Sequence, residues 1–248
     1  MKVFTPTSVA GLLQAFNDRS KRLWFMCGLL AISCFGGFNL QAQTTVQNFG
    51  TGTATQTSQT GSTAIIPNPT AGTTWARGGA VAPAAPVNIL NTSNPLGTTD
   101  SYMRATASSS TSVCKASPFI NYGGSTEFYT SFKILFGDVS AGSTATSGSW
   151  SFYQGAGTMY GDASDFTGAQ VFTGIRFTFG AGGAIAITYR GGSSFINTGL
   201  SPNSLSSATV YTIEIVGNNK TSGTINYTYN GVGQTVAVQK FDLYVNGT

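Results

Sequence analysis

Histidine is absent from this 248-residue chain, and only 8% of its residues are charged. Without histidine, Ser-His-Asp and Cys-His catalysis and histidine-containing zinc sites are excluded within the chain. Cysteine is also scarce. Cys27 and Cys34 lie in an N-terminal apolar segment and leave Cys114 alone in the rest, which excludes an internal disulfide there. We expect Cys114 to be a small buried residue on a strand.

Basic residues have only a small excess over acidic ones once the N-terminal segment is set aside. Residues 43–248 contain eight Lys or Arg and seven Asp or Glu, widely scattered along the chain. Nucleic-acid binding needs clustered positive charge, so no nucleic-acid partner is expected. Apolar residues make up 41% of the chain, which excludes the composition of a disordered polymer.

The N-terminal segment has the features of an export signal. Lys21 and Arg22 precede an apolar run over residues 23–38, and Ala42 follows it at a position that suits signal peptidase. We therefore predict that residues 1–42 are an N-terminal extension and signal peptide, and that the mature protein is secreted or on the outer cell surface without a membrane span.

Three alternatives to this interpretation of the N-terminal segment stay open. The apolar run could be a transmembrane helix, although its sixteen residues fall short of the roughly 20 that span a bilayer. Cys34 could be a lipidation site. Residues 1–17 could form a short amphipathic helix or precede the true translation start.

Strand-forming residues dominate residues 43–248, which predicts one all-β domain built as an antiparallel β-sandwich. Apolar residues alternate with polar ones in several stretches, and glycine-rich or Asn-Gly turns separate the later stretches. The predicted turns are at residues 180–183 and 230–231. The predicted one-sided stripes are Phe128, Thr130, Phe132, Ile134 and Phe136; Val171, Thr173, Ile175, Phe177 and Phe179; Ile185, Ile187 and Tyr189; Tyr211, Ile213 and Ile215; and Ile225, Tyr227 and Tyr229.

The two ends of this domain give weaker patterns. Five prolines interrupt residues 43–100, which we interpret as an edge strand near residues 46–49 followed by long surface loops. Residues 241–248 read as a strand entering a hairpin turn, so we expect the domain to continue beyond residue 248.

Several motifs resemble known families. Residues 211–216, the Asn230-Gly231 turn and residues 243–247 (LYVNG) resemble the end of a laminin-G-like, concanavalin A-type jelly roll. The segments Asn48-Phe49-Gly50, Thr74–Arg77, Phe128–Phe132 and Phe172–Phe177 resemble surface proteins of Bacteroidota-type bacteria exported by the type IX secretion system. This resemblance implies a jelly-roll β-sandwich, passage across the outer membrane and a C-terminal sorting domain after residue 248.

No catalytic residue is predicted. Glycoside hydrolysis needs two suitably spaced carboxylates, and the only glutamates after residue 42 are Glu127 and Glu214. Phe128 follows Glu127, and Ile213 and Ile215 flank Glu214, so we expect both glutamates on the solvent faces of strands. We therefore predict a protein that is not an enzyme.

Two acidic residues form a candidate calcium site. Asp162 and Asp165 lie in a glycine-flanked segment and could supply the hard oxygen ligands that Ca²⁺ takes. The alternative is a plain turn, in which Asp and Ser side chains bind their own backbone amides. No other cofactor is expected.

Aromatic residues in loops are the remaining candidates for ligand binding. A flat ring can stack on a sugar while arginine binds the hydroxyls, and Trp75, Arg77 and Tyr160 lie in glycine- or proline-rich surroundings. The alternative for each aromatic is a place in the core. We expect a carbohydrate-binding or adhesion module; the alternatives are a structural spacer domain and an accessory domain of a glycoside hydrolase.

Overall fold

The computed structural model describes residues 47–56, 75–81, 87–106, 114–120, 126–155, 170–200 and 204–247; for 75–81 and 114–120 it describes the backbone alone. These parts form fifteen strands, and every pairing between them is antiparallel. The strands are β1 (Ala54–Gln56), β2 (Trp75–Val81), β3 (Val87–Leu90), β4 (Tyr102–Ala105), β5 (Cys114–Ile120), β6 (Glu127–Leu135), β7 (Ser149–Gly155), β8 (Val171–Phe179), β9 (Ala184–Gly191), β10 (Ser194–Asn197), β11 (Ser204–Ser206), β12 (Val210–Asn218), β13 (Ile225–Tyr229), β14 (Val232–Val236) and β15 (Lys240–Val245).

Two sheets form the main body of the fold. The large sheet has the order β10-β9-β8-β7, and β11 pairs with the first half of β9. The middle sheet has the order β15-β12-β6. Smaller units are the N-terminal sheet β1-β3-β4, the pair β2-β5 and the β13–β14 hairpin. The prediction of an all-β, antiparallel chain is confirmed.

The core lies between the large sheet and the middle sheet. Alternating residues of each strand point into this space, because successive side chains of a strand face opposite ways. Rings from the two sheets meet there: the centroids of Phe132 and Phe152 are 4.6 Å apart and those of Phe136 and Phe177 are 5.0 Å apart. The buried members of this core are Phe136, Ile175, Phe177, Ile185, Ile187, Leu205, Ile213, Ile215 and Val245.

The one-sided stripes expected on β6, β8, β9 and β12 are confirmed by this core. The turn at residues 180–183 is also confirmed. The backbone amide of Gly180 donates to the carbonyl of Ala184 at 2.9 Å, and Gly182 and Gly183 have φ of 72° and 76°. Glycine adopts such positive φ values without steric cost, which is why these residues close the β8–β9 connection.

The β13–β14 hairpin covers the other face of the middle sheet. Asn230 and Gly231 have φ of 48° and 80° and connect the two strands, as the Asn-Gly signal predicts. Val216 and Asn218 of β12 are buried on this side, and the Asn218 amide donates to the carbonyl of Val236 at 3.1 Å. The middle sheet therefore packs on both faces.

The expectation for residues 43–100 is wrong within the described residues. Residues 47–50 form no strand; the edge strand is β1, at Ala54–Gln56. Strands β2 and β3 also fall in this segment, and Val87 and Ile89 of β3 are buried. Prolines flank β3 without lying in it, so its ladder to β1 and β4 forms without interruption.

Strand β12 extends through Gly217 and Asn218, so the connection to β13 covers residues 219–224. Cys114 begins β5, as expected for a strand residue. Within the described ranges, no helix is long and apolar enough to cross a membrane.

Candidate functional site

The outward-facing residues of the large sheet form two parallel rows across its strands. The first, the aromatic row, runs from Tyr153 on β7 to Gly174 on β8, Arg190 on β9 and Phe195 on β10. Tyr153 pairs with Gly174 and Phe195 pairs with Arg190 in the strand register. Tyr153, Gly174 and Arg190 each adjoin an inward-facing residue of their strand, and Phe195 pairs with Arg190, so the row faces away from the middle sheet.

Gly174 gives the aromatic row its close packing. A Cβ atom at this position would lie 3.0 Å from the Cβ of Arg190 and 3.0 Å from two ring carbons of Tyr153. Such distances are shorter than ordinary carbon contacts. The absence of a side chain at Gly174 therefore lets the Tyr153 ring and the Arg190 stem meet above β8. The Tyr153 side chain remains 37% exposed.

The second row, the polar row, contains Ser151, Arg176, Thr188 and Asn197. Arg176 pairs with Ser151 on one side and with Thr188 on the other, and Asn197 pairs with Thr188. Ser151 and Asn197 are exposed. Hydroxyl, amide and guanidinium groups thus lie side by side along this row.

Arg176 joins the two rows. Its guanidinium carbon lies 4.0 Å from the centroid of the Phe195 ring, in cation–π geometry. The ring of Tyr153 is 6.5 Å from that of Phe195. Arg190 is held differently, by a hydrogen bond of 2.9 Å from its Nε to the carbonyl of Gly192. Two arginines and two aromatic rings therefore occupy one patch of the outer face, which we call the arginine–aromatic patch (Tyr153, Gly174, Arg176, Arg190, Phe195).

The chemistry of this patch suits a polyhydroxylated ligand. Aromatic rings can stack on the apolar face of a sugar, and guanidinium groups donate several hydrogen bonds in a fixed plane. Sequence reasoning missed the patch as a unit. A signal for it was available, because Arg176 and Arg190 each alternate with core residues on strands joined by a predicted hairpin, which puts both on one face.

A second cluster lies where the β13–β14 hairpin meets the middle sheet. The two carboxylate oxygens of Glu214 accept hydrogen bonds from the hydroxyls of Tyr129 and Tyr229, each at 2.5 Å. The hydroxyl of Tyr227 donates to Asp242 at 2.7 Å and also shares a hydrogen bond with the hydroxyl of Tyr244. We call these six residues the tyrosine–carboxylate cluster.

Burial and hydrogen bonds raise the pKa values of Tyr129, Tyr227 and Tyr229 in this cluster. Burial and the hydrogen bond to Glu214 raise the pKa of Tyr229 to about 12. The hydrogen bond to Glu214 also raises the pKa of Tyr129, and burial, Tyr244 and Asp242 raise that of Tyr227. A neutral phenol that donates to a carboxylate resists ionisation because its anion would lie beside a negative charge.

The expectation that both glutamates lie on the solvent faces of strands is confirmed for Glu127 and wrong for Glu214. Glu127 is exposed and forms an ion pair with Lys220. Glu214 differs in being half-buried beneath the hairpin, where both its oxygens are engaged by tyrosines. In this arrangement the Glu214 carboxylate links the hairpin to the middle sheet.

Two of the residues predicted from sequence to bind ligand lie two positions apart on one strand. Trp75 and Arg77 lie on strand β2, opposite Ile120 and Pro118 of β5, and not in the loops expected from the sequence. Tyr160 lies outside the described residues, as do Asp162 and Asp165 of the predicted calcium site. Within the described ranges, no group of three or more Cys, Asp or Glu residues is placed to hold a metal ion.

Comparisons of this chain with protein-family models, with curated proteins and with solved structures gave no match.

Proposed function

We propose that this protein is a non-catalytic carbohydrate-binding module of the cell surface or of a secreted protein, and that the arginine–aromatic patch is its binding surface. The observation that carries the proposal is the packing of Tyr153 and Arg190 over Gly174, next to Arg176 stacked on Phe195. Sugar-binding sites combine apolar ring faces with a few fixed polar donors, and this patch has both.

The position of the patch supports the proposal. It lies on the face of the large sheet opposite the core, on strands held by pairing along their length. Side chains on paired strands are more precisely placed than side chains on loops, which lowers the entropy that binding must overcome. The exposed residues Ser151 and Asn197 of the polar row offer further hydrogen-bonding groups to sugar hydroxyls.

The cellular setting belongs to the same proposal. The charged start, apolar run and Ala42 favour export with cleavage near Gln43. The resemblance to type IX secreted surface proteins and to laminin-G-like jelly rolls favours display outside the outer membrane on a jelly-roll β-sandwich. Mass spectrometry of the secreted protein should find an N-terminus near residue 43; a retained residue 1 would contradict export by cleavage.

The binding surface is tested by affinity electrophoresis of the full chain in gels containing xylan, dextran, alginate or polygalacturonate. We expect retardation by at least one of these polysaccharides, and Tyr153→Ala should weaken it about tenfold because the exposed ring supplies stacking area. Tyr129→Ala is the matched control. Tyr129 is 60% exposed on the middle sheet, so its removal should leave retardation unchanged.

Two results would contradict the proposal. Absence of retardation by every polysaccharide would favour the structural spacer domain. Retardation that survives Tyr153→Ala but is lost in Trp75→Ala, Arg77→Ala or Tyr160→Ala would move the surface to the residues predicted from sequence. An accessory role beside a glycoside hydrolase is compatible with binding, and sequencing beyond codon 248 distinguishes it by the presence of a catalytic domain.

A further inference from the structure

The large sheet has an unusual charge distribution. Its five strands contain Arg176 and Arg190 and no Asp or Glu at any position. The middle sheet contains three carboxylates, Glu127, Glu214 and Asp242, together with Lys133 and Lys240. The two faces of the sandwich therefore differ in charge, and the patch proposed to bind carbohydrate is the cationic one.

Neither arginine has a carboxylate partner in the part of the chain that the structure describes. Arg176 is half-buried and its Nε is buried without a hydrogen-bond acceptor. The Nε of Arg190 is satisfied by the carbonyl of Gly192, a neutral group. A guanidinium withdrawn from water is costly unless an anion or good acceptors compensate for it.

The guanidinium carbon of Arg176 lies 4.0 Å from the centroid of the Phe195 ring, so the ring covers one side of the guanidinium group. A planar guanidinium held on an aromatic face keeps its in-plane N–H groups directed sideways, where they fit the two oxygens of a carboxylate or the oxygens of a sulfate. The polar row flanks Arg176 with the exposed residue Ser151 and with Thr188, whose hydroxyl donates to the carbonyl of Arg176 at 3.3 Å. The Ser151 hydroxyl can hydrogen-bond an anionic group, and neither neighbour carries a charge that would repel it.

We propose that the ligand of the arginine–aromatic patch is an anionic polysaccharide, whose uronate carboxylate or sulfate groups pair with Arg176 and Arg190 while a sugar ring lies against Tyr153. This inference rests on the proposed carbohydrate-binding function and adds the chemical class of the ligand. The shared requirement is anionic groups along the polysaccharide; uronic acid and sulfate ester are their two sources.

The test compares charged and neutral forms of the same polysaccharide with the full chain. Isothermal titration calorimetry with polygalacturonate and its methyl ester tests carboxylates, and dextran sulfate and dextran test sulfate. We expect binding to at least one charged form that exceeds binding to its neutral partner about tenfold or more, since one charge-assisted hydrogen bond accounts for about that factor. The charged pair that binds identifies the source of the anionic group.

Variants separate a specific site from general attraction between opposite charges. Arg176→Gln and Arg190→Gln should each weaken binding of the charged form about tenfold. Arg104→Gln is the matched control, because Arg104 is exposed on the N-terminal sheet and its substitution removes the same charge elsewhere. Melting curves of the three variants should verify that each is folded.

Each of the other outcomes overturns a specific part of the proposal. Equal binding of charged and neutral forms, lost in Tyr153→Ala, would overturn the anionic ligand and keep the carbohydrate-binding function. Equal losses in Arg104→Gln and Arg176→Gln would overturn the site and leave unspecific electrostatic attraction. Failure to bind any polysaccharide would overturn the proposed function itself.

Discussion

The phenol ring of Tyr229 lies on that of Tyr244, with the ring centroids 3.7 Å apart and the planes 17° apart. Tyr229 belongs to the β13–β14 hairpin and Tyr244 to β15, so this stack joins the hairpin to the middle sheet. The hydrogen bond from Tyr229 to Glu214 of β12 adds a second connection. A two-stranded hairpin is barely stable alone, and these contacts explain how it keeps its place.

The raised pKa of Tyr229 predicts a loss of stability at alkaline pH. In the unfolded chain this tyrosine ionises near its ordinary pKa of about 10, whereas in the folded protein its pKa is about 12. Its contribution is therefore complete below pH 10, and it is lost as the pH rises from 10 to 12, because the unfolded state binds fewer protons there. Urea denaturation at pH 8 to 12 should show this decline.

Tyr229→Phe should make the decline between pH 10 and 12 shallower. Tyr153→Phe, the same change on the large sheet, is the control and should leave the slope as in the unchanged protein. An identical slope in Tyr229→Phe would show that this phenol does not contribute to the alkaline transition.

The close approach of Gly217 and Phe128 predicts that a larger residue at position 217 destabilises the protein. Gly217 pairs with Phe128, and a Cβ atom at residue 217 would lie 2.2 Å from the Phe128 ring. Gly217→Ala should therefore lower the free energy of unfolding by about 1–3 kcal/mol through overpacking. Gly233→Ala is the control, because position 233 on β14 is open, and it should change stability by less than about 0.5 kcal/mol.

Phe128→Leu combined with Gly217→Ala should recover part of the loss, because the two positions share one space. Urea denaturation should be measured for the unchanged protein, Gly217→Ala, Phe128→Leu and the double variant. Strict additivity of the two single changes would contradict direct contact between the ring and residue 217.

The buried side chain of Asn218 predicts that the stability of the hairpin depends on hydrogen bonds. The buried amide of Asn218 donates to the carbonyls of Gly223 and Val236, at 3.0 and 3.1 Å, and its side-chain oxygen accepts from the amide of Lys220 at 3.1 Å. Asn218→Ala should cost about 1–3 kcal/mol, since buried backbone groups lose their partners. Asn226→Ala, which removes an exposed hydrogen bond from Thr235 on the same hairpin, should cost less than about 0.5 kcal/mol. Thermal melting checks both, and equal losses would contradict the role of burial.

Calcium binding by Asp162 and Asp165 stays a prediction from sequence. Added Ca²⁺ should raise the melting temperature by mass action, and Asp162→Asn with Asp165→Asn should abolish the rise. Mg²⁺ serves as the control ion. A melting temperature that is the same in Ca²⁺ and in EDTA would exclude the site and favour the turn.

The sequence by itself determined the strand character and the inner faces of this protein. Period-two alternation is a local property, so the stripes of β6 and β8 and the turns at residues 180–183 and 230–231 were predictable from a few neighbouring residues. The strands of residues 43–100 were predicted less well, because the prolines on either side of β3 suggested loops there. The burial of Val87 and Ile89 in β3 arises only in the folded structure.

Only the tertiary structure decided which outward residues meet. The arginine–aromatic patch takes its members from four strands, so it depends on the registers in which these strands pair. The tyrosine–carboxylate cluster likewise needs the hairpin folded over the middle sheet. Outward positions carry no common pattern in sequence, since they are free of the core's demand for apolar side chains. Their grouping follows from the registers in which whole strands pair, and a window of a few residues does not contain that information.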